Sequence, residues 1–93
     1  MNYRLEFHPD ALVEWRKLDA TVSTQFKKKL AERMQLPRVP SAKLTGHPDR
    51  YKIKLRSVGY RLVYEVRDSV LVVLVVAVGK RERNAVYRVA EKR

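Results

Sequence analysis

The sequence predicts an α+β fold in the order β-α-α-β-β-β-α, an antiparallel-rich sheet with a helical hairpin on one face. Two observations carry that expectation. Val22, Phe26, Leu30 and Met34 recur every four residues, the spacing of one helix face. Beyond Pro37 and Pro40 the apolar period drops to two, and the chain then runs through LVVLVVAV without a polar interruption.

Tyr3-Arg4-Leu5-Glu6-Phe7 alternates apolar and polar residues, as a half-buried strand does. His8-Pro9-Asp10 marks a helix start, because proline suits the first turn and an acid there favours the dipole. Leu12, Trp15 and Leu18 follow at helical spacing and belong to the core. Asp19-Ala20-Thr21 offers the cap of a second helix, whose Lys27, Lys28, Lys29 and Arg33 lie largely off its apolar stripe. The two prolines end this helix, and residues 38–50 form a loop.

In the next segment Tyr51, Ile53 and Leu55 point one way while Lys52, Lys54 and Arg56 point the other. Ser57-Val58-Gly59 is a turn. Tyr60, Leu62, Tyr64 and Val66 then make the apolar face of a further strand, with Arg61, Val63, Glu65 and Arg67 opposite. Arg67-Asp68-Ser69 turns into the apolar run, a strand expected inside the sheet and covered on both faces. Gly79 is expected to stop it, and KRERNAVYRVAEKR to follow as a short basic helix, loosely packed.

Ninety-three residues allow one domain, residues 1–93, which is too small for a deep substrate cavity or a dinucleotide-binding domain. Without cysteine there is no disulfide scaffold, thiolate metal site or cysteine nucleophile, which suits a reducing cytoplasm. The N-terminal segment has no signal-peptide core, and Val70–Val78 is too short to cross a bilayer. With only His8 and His47, each beside a proline, a histidine pair would have to come from distant segments; both read as cap or surface residues. No acidic cluster offers magnesium or zinc a home, so neither a metal nor another cofactor is expected.

The net charge of +11 is unevenly placed, +3 over residues 1–49 and +8 over residues 50–93. That asymmetry points to a basic face for nucleic acid, an anionic membrane surface or an acidic protein. Lys52 and Lys54 leave the same side of a strand about 6–7 Å apart, and Arg61 joins them if the hairpin forms. Lysines on an edge strand also discourage aggregation, which explains Lys52 and Lys54 well and Arg61 less well. The second cluster is Lys80, Arg81 and Arg83 with Tyr87 and Arg88. Arg83 and Tyr87 are expected to be helical neighbours four residues apart, a tyrosine poised to stack on a base while arginines hold phosphates. A solvated terminal helix explains the same composition equally well. Lys27, Lys28 and Lys29 read as a solvated helix face or as a contact to RNA backbone.

Taken together, EWRKL at 14–18, KKKL at 27–30, YKIKLRSVGYRLVYEV at 51–66, VGKRER at 78–83 and VY at 86–87 resemble the RelE toxin family, in order and over nearly the whole chain. The resemblance implies a compact microbial-ribonuclease-like fold and a ribosome-dependent mRNA interferase of a type II toxin–antitoxin system. Such an enzyme is an endoribonuclease that cuts mRNA in the ribosomal A site and inhibits translation. It further implies a cognate RelB-like antitoxin, the 70S ribosome with A-site mRNA and 16S rRNA as partners, and operator DNA bound only through the antitoxin complex. No membrane is implied, and the setting is cytoplasmic. Matched residue by residue, the family's catalytic positions fall on Lys52, Lys54, Arg61, Arg81 and Tyr87; Lys27, Lys28, Lys29, Arg56, Lys80 and Arg83 are the further RNA-binding candidates. Thr45 departs from the pattern, since close relatives carry an arginine there. The end at Arg93 implies a terminal helix a turn shorter than usual.

The chemistry is consistent with such a site. Metal-free RNA cleavage needs a base for the 2′-OH, an acid for the 5′ oxygen and cations for the phosphorane charge. Crowded cations favour the neutral form of Lys52 and Lys54, so that one of them serves as base. Arg61 is the natural phosphate clamp. Arg81 is a transition-state stabiliser or, as the family implies, the leaving-group acid, and Tyr87 stacks on a base or is itself activated. So few acid–base groups make a weak nuclease alone, and the ribosome is expected to supply in-line geometry. An acidic antitoxin segment is expected to cover the sheet edge or displace the helix at 84–93. A ParE-like, gyrase-inhibiting toxin without catalysis and a basic RNA-binding module are the alternatives.

Overall fold

In a computed structural model describing residues 2–93, the chain forms β1 (Arg4–Phe7), α1 (Pro9–Arg16), α2 (Ala20–Gln35), β2 (Arg50–Leu55), β3 (Tyr60–Arg67), β4 (Val72–Lys80) and α3 (Ala85–Glu91). Met1 of the expected domain lies outside the described residues. The α+β order is the expected one. The sheet runs β1-β4-β3-β2: β2–β3 and β3–β4 are antiparallel, and β1 pairs parallel to β4.

Local chemistry accounts for the helices. The His8 imidazole accepts from the Asp10 N–H with Pro9 at the first position of α1, and Asp19 accepts from the Val22 N–H to cap α2. Val22, Phe26 and Leu30 are buried against the apolar faces of β2, β3 and β4, with Ala11 of α1 in the same cluster. Trp15 is half-buried rather than central, its ring 5.4 Å from Phe7 and 6.1 Å from Phe26. Both α1 and α2 thus cover one face of the sheet. The residues of the expected loop include a short 3-10 turn, Pro40–Ala42, and a bridge from Lys43 to Tyr51.

Strand β4 is central and covered on both faces, as its apolar run predicts: Val73, Val75 and Val78 belong to the α1/α2 side, Val76 and Ala77 to the other. Pairing skips Val76, since Val63 faces Ala77 and Tyr64 faces Val75. This irregularity switches the inward-facing set along β4.

Three expectations need correction. Gly79 does not stop β4, which continues to Lys80 with Gly79 opposite Arg61. The glycine serves clearance instead: a Cβ there would stand 3.4 Å from Val86 Cγ2 of α3. The terminal helix is not loosely packed, because Val86 and Ala90 are buried with Val63, Val76 and Ala77 on the face opposite α1 and α2. Arg33 is not off the stripe of α2. Seven residues beyond Phe26, it is half-buried and donates to the Tyr64 hydroxyl at 2.9 Å and the Lys52 carbonyl at 3.2 Å. No helix of the described residues is long and apolar enough to cross a membrane.

Candidate ribonuclease site

The side-chain alternation of β2 puts Tyr51, Ile53 and Leu55 in the core and leaves Arg50, Lys52 and Lys54 on the opposite face, the one α3 packs against. Lys54 lies directly across from Arg61, Lys52 from Val63, and Arg50 from Glu65. Half of this face is therefore covered by α3, and the half toward the β2–β3 turn carries cations. The Gly59 backbone, at φ +70° in that turn, accepts from the Arg81 N–H at 2.7 Å. That bond ties the segment after β4 to the turn, and Lys54, Arg56, Arg61 and Arg81 line one small cleft there.

Lys52 and Lys54, with Arg33, Arg56 and Ser41, line an adjoining open groove of about 290 Å³ at the β2 edge. On the other side Arg81, Arg83 and Arg88 line a wider depression of about 670 Å³. The structure thus brings Lys52, Lys54, Arg61 and Arg81 into one basic surface. Tyr87 joins it from α3: Arg61 donates to the Tyr87 hydroxyl at 3.3 Å, with its guanidinium carbon 5.5 Å from the ring centroid. The Lys54 ammonium is held below the usual lysine range, first by the charge of Lys52, then by desolvation and by Arg61, Arg56 and Arg81.

Arg83 is placed differently from expectation. It sits before α3 in a left-handed conformation (φ +45°), followed by Asn84 at φ +63°, so the four-residue helical count to Tyr87 does not apply. Its carbonyl accepts from Arg88, and the neighbour of Tyr87 is Arg61. Arg56, Lys80 and Arg83 are exposed around the cluster. Lys27, Lys28 and Lys29 are exposed on α2, which covers the other sheet face. Thr45 is exposed in the loop before β2. Among the described residues no three His, Asp or Glu side chains are grouped to hold a metal ion.

Two groups carried no functional reading in the sequence. Arg33 lines the Lys52 groove, and its i+7 spacing from Phe26 is the signal that places it there. Arg50, two residues before Lys52 and on the same face, is buried rather than part of the open cationic surface.

A family model for the ParE toxin of type II toxin–antitoxin systems matches residues 5–85. The mRNA interferase toxin RelE of Escherichia coli K12 is 59% identical over all of this chain and 98% of its own length. A free-state structure of E. coli toxin RelE carrying two arginine-to-alanine substitutions superposes with a TM-score of 0.91 at 56% identity, covering 99% of this chain and 97% of that one. The toxin in the intact E. coli RelBE toxin–antitoxin complex gives 0.83 at 59% identity, covering 87% of this chain and 99% of that one. With 59% identity to RelE over the full chain and a superposition at a TM-score of 0.91, the chain belongs to the RelE toxin family, the RelE branch of the RelE/ParE superfamily of type II toxins.

Proposed function

We propose that residues 1–93 form a single toxin domain of a type II toxin–antitoxin system, an mRNA interferase that cuts mRNA in the ribosomal A site. The observation that carries this reading is the cationic surface of Lys52, Lys54, Arg61 and Arg81 with Tyr87 at its border. A scissile phosphate seated there meets three cations, Lys52, Arg61 and Arg81, with Lys54 beside them. Lys54, whose neighbours favour its neutral form, takes the proton of the 2′-OH. The alkoxide attacks the adjacent phosphorus, the P–O5′ bond breaks, the leaving O5′ takes a proton from solvent water, and the products are a 2′,3′-cyclic phosphate and a 5′-hydroxyl. Arg61 clamps the phosphate, Arg81 stabilises the phosphorane charge, and Tyr87 stacks on the base beside the cut to hold it in line.

Exposed cations at Lys27, Lys28, Lys29, Arg56, Lys80 and Arg83 extend the contact to 16S rRNA and mRNA. The cognate inhibitor is a RelB-like antitoxin, in keeping with the RelBE complex among the structural relatives, and operator DNA is reached through that complex. The working compartment is the cytoplasm, where the 70S ribosome is. The same charge constellation weighs against a ParE-like gyrase inhibitor.

The test compares naked RNA with programmed ribosomes. Purified protein leaves the first nearly intact and cuts the second in the A site, while Arg81→Ala abolishes cutting and retains ribosome binding. Equal cutting of both RNAs, or undiminished cutting by Arg81→Ala, sinks the assignment.

A further inference from the structure

We propose that Arg50 is a positioning residue for Tyr87, acting through a clasp on α3; the proposal rests on the RNA-cleaving reading of the same face. Of the three basic side chains that β2 turns toward that face, Lys52 and Lys54 line the open groove, whereas Arg50 is only 7% exposed. A buried guanidinium is costly unless its donors are met. Here they are met in a directed way. The Arg50 Nε donates to Glu65 Oε1 at 3.1 Å, directly across the β2–β3 ladder, and its Nη1 donates to the Ala90 carbonyl at 2.5 Å. Glu65 is in turn fixed by Arg67, which donates to its other oxygen at 2.8 Å.

The clasp lands at the C-terminal end of α3. The Ala90 carbonyl also accepts from the Arg93 N–H at 3.0 Å, so Arg50 takes its second acceptor position, and a cation there meets the negative end of the helix dipole. Helix α3 has only seven residues, and its fully buried side chains are Val86 and Ala90. These side chains, with Tyr87 and Val89 packed beside them, seat the helix on the sheet, but apolar contact is non-directional and leaves its rotation and its slide to a directed bond. The Arg50–Ala90 bond fixes both from one end of the face, and three residues earlier on the helix Tyr87 meets Arg61 at the other end. Along β2 and β3 the two cross-strand pairs, Arg50–Glu65 and Lys54–Arg61, are the termini of one line. Arg50 is thereby a link between the sheet that carries the cations and the helix that carries the ring.

A second tie keeps the helix attached when the clasp is removed. Arg93 donates to both Glu14 carboxylate oxygens and to the Val76 carbonyl, each at 2.9 Å, on the far side of α3. Loss of Arg50 therefore loosens the position of α3 without releasing it.

The experiment uses the full chain with Arg50→Met, which keeps the volume and leaves Glu65 paired with Arg67. Three readouts are taken: amide exchange along the chain, single-turnover cleavage on programmed ribosomes as a function of ribosome concentration, and the same kinetics in a Tyr87→Ala background. Expected are an exchange rate in α3 raised at least tenfold with β3 and β4 unchanged, a maximal rate down about tenfold with half-saturation unchanged, and no further loss when Tyr87 is already alanine. A helix that exchanges as in wild type, or a loss that multiplies with that of Tyr87→Ala, overturns the proposal. Should Arg50→Met fail to fold, Glu65→Gln, which weakens the clasp from its other partner, is measured in the same three ways with smaller changes in the same directions. If the wild-type chain cuts no ribosomal mRNA, the functional reading falls while the exchange comparison still decides whether Arg50 holds α3.

Discussion

Arg61 and Tyr87 meet across the gap between the sheet and the last helix, joined by a 3.3 Å hydrogen bond to the phenolic oxygen and a guanidinium 5.5 Å from the ring centre. Two separable interactions hold the ring, and they predict a graded response. Tyr87→Phe keeps the stacking surface and loses the hydrogen bond, and is expected to slow ribosomal cleavage by about tenfold or less. Tyr87→Ala also loses the platform for the base, a term of about 1–3 kcal/mol, and is expected to slow it by about 10- to 100-fold more. Single-turnover cleavage of A-site mRNA checks both. Equal losses for the two variants would remove the stacking role.

The depressed Lys54 ammonium sets a pH dependence. The proposed base must be neutral to act, so the cleavage rate is expected to rise with pH through a midpoint below the 10.5 of an ordinary lysine. Lys52 is the largest cause of that depression, hence Lys52→Ala is expected to move the midpoint upward and to lower the rate near neutrality. The rate–pH profiles of the wild type and Lys52→Ala decide the point. A profile unmoved by the substitution shows that Lys54 is not the base.

Asp68 predicts an acid-sensitive contribution to stability. Its carboxyl is held below the usual range by the hydrogen bonds from the Tyr3 hydroxyl and from Arg38, which also pairs with Asp49. Because the folded-state value lies below the unfolded one, the stabilisation is fully present above the ordinary carboxylate pKa. It is lost as pH falls through the depressed value. Asp68→Asn is expected to lower the melting temperature near neutrality and to flatten its fall in acid. Thermal unfolding between about pH 2 and 7 measures this.

Phe26 is fully buried, with Trp15 packed on it at 6.1 Å. Truncation to alanine leaves a cavity in the α2–sheet core and is expected to cost about 3–5 kcal/mol. Trp15 is the chain's one tryptophan, so its fluorescence in a urea titration reports the loss directly.

Local signals carried most of the fold. The stripe from Val22 to Leu30 and the alternation from Tyr51 to Val66 fix which residues face the core, because each depends only on the period of its own element. What escaped depended on distant partners. Arg50 and Ala90 are 40 residues apart, and Arg93 and Glu14 are 79 apart; nothing near any of them announces the bond. Gly79 reads as a breaker by type, yet its φ is negative and its role is to leave space for Val86. Arg83 escaped for a third reason. Its left-handed backbone breaks the helical count at the point where the count was needed, leaving Arg61, from a different strand, beside Tyr87.

The position of β4 has a consequence for synthesis. It enters between β1 and β3, both made before it, and its parallel register with β1 joins Arg4 to Val72. Until that strand has left the ribosome, the N-terminal strand has no partner and β3 is an open edge. Arg81 and Tyr87 come later still in the chain. Such long-range closure is slow. A nascent chain therefore lacks the central strand, and with it the assembled basic surface, until most of residues 1–93 have been made.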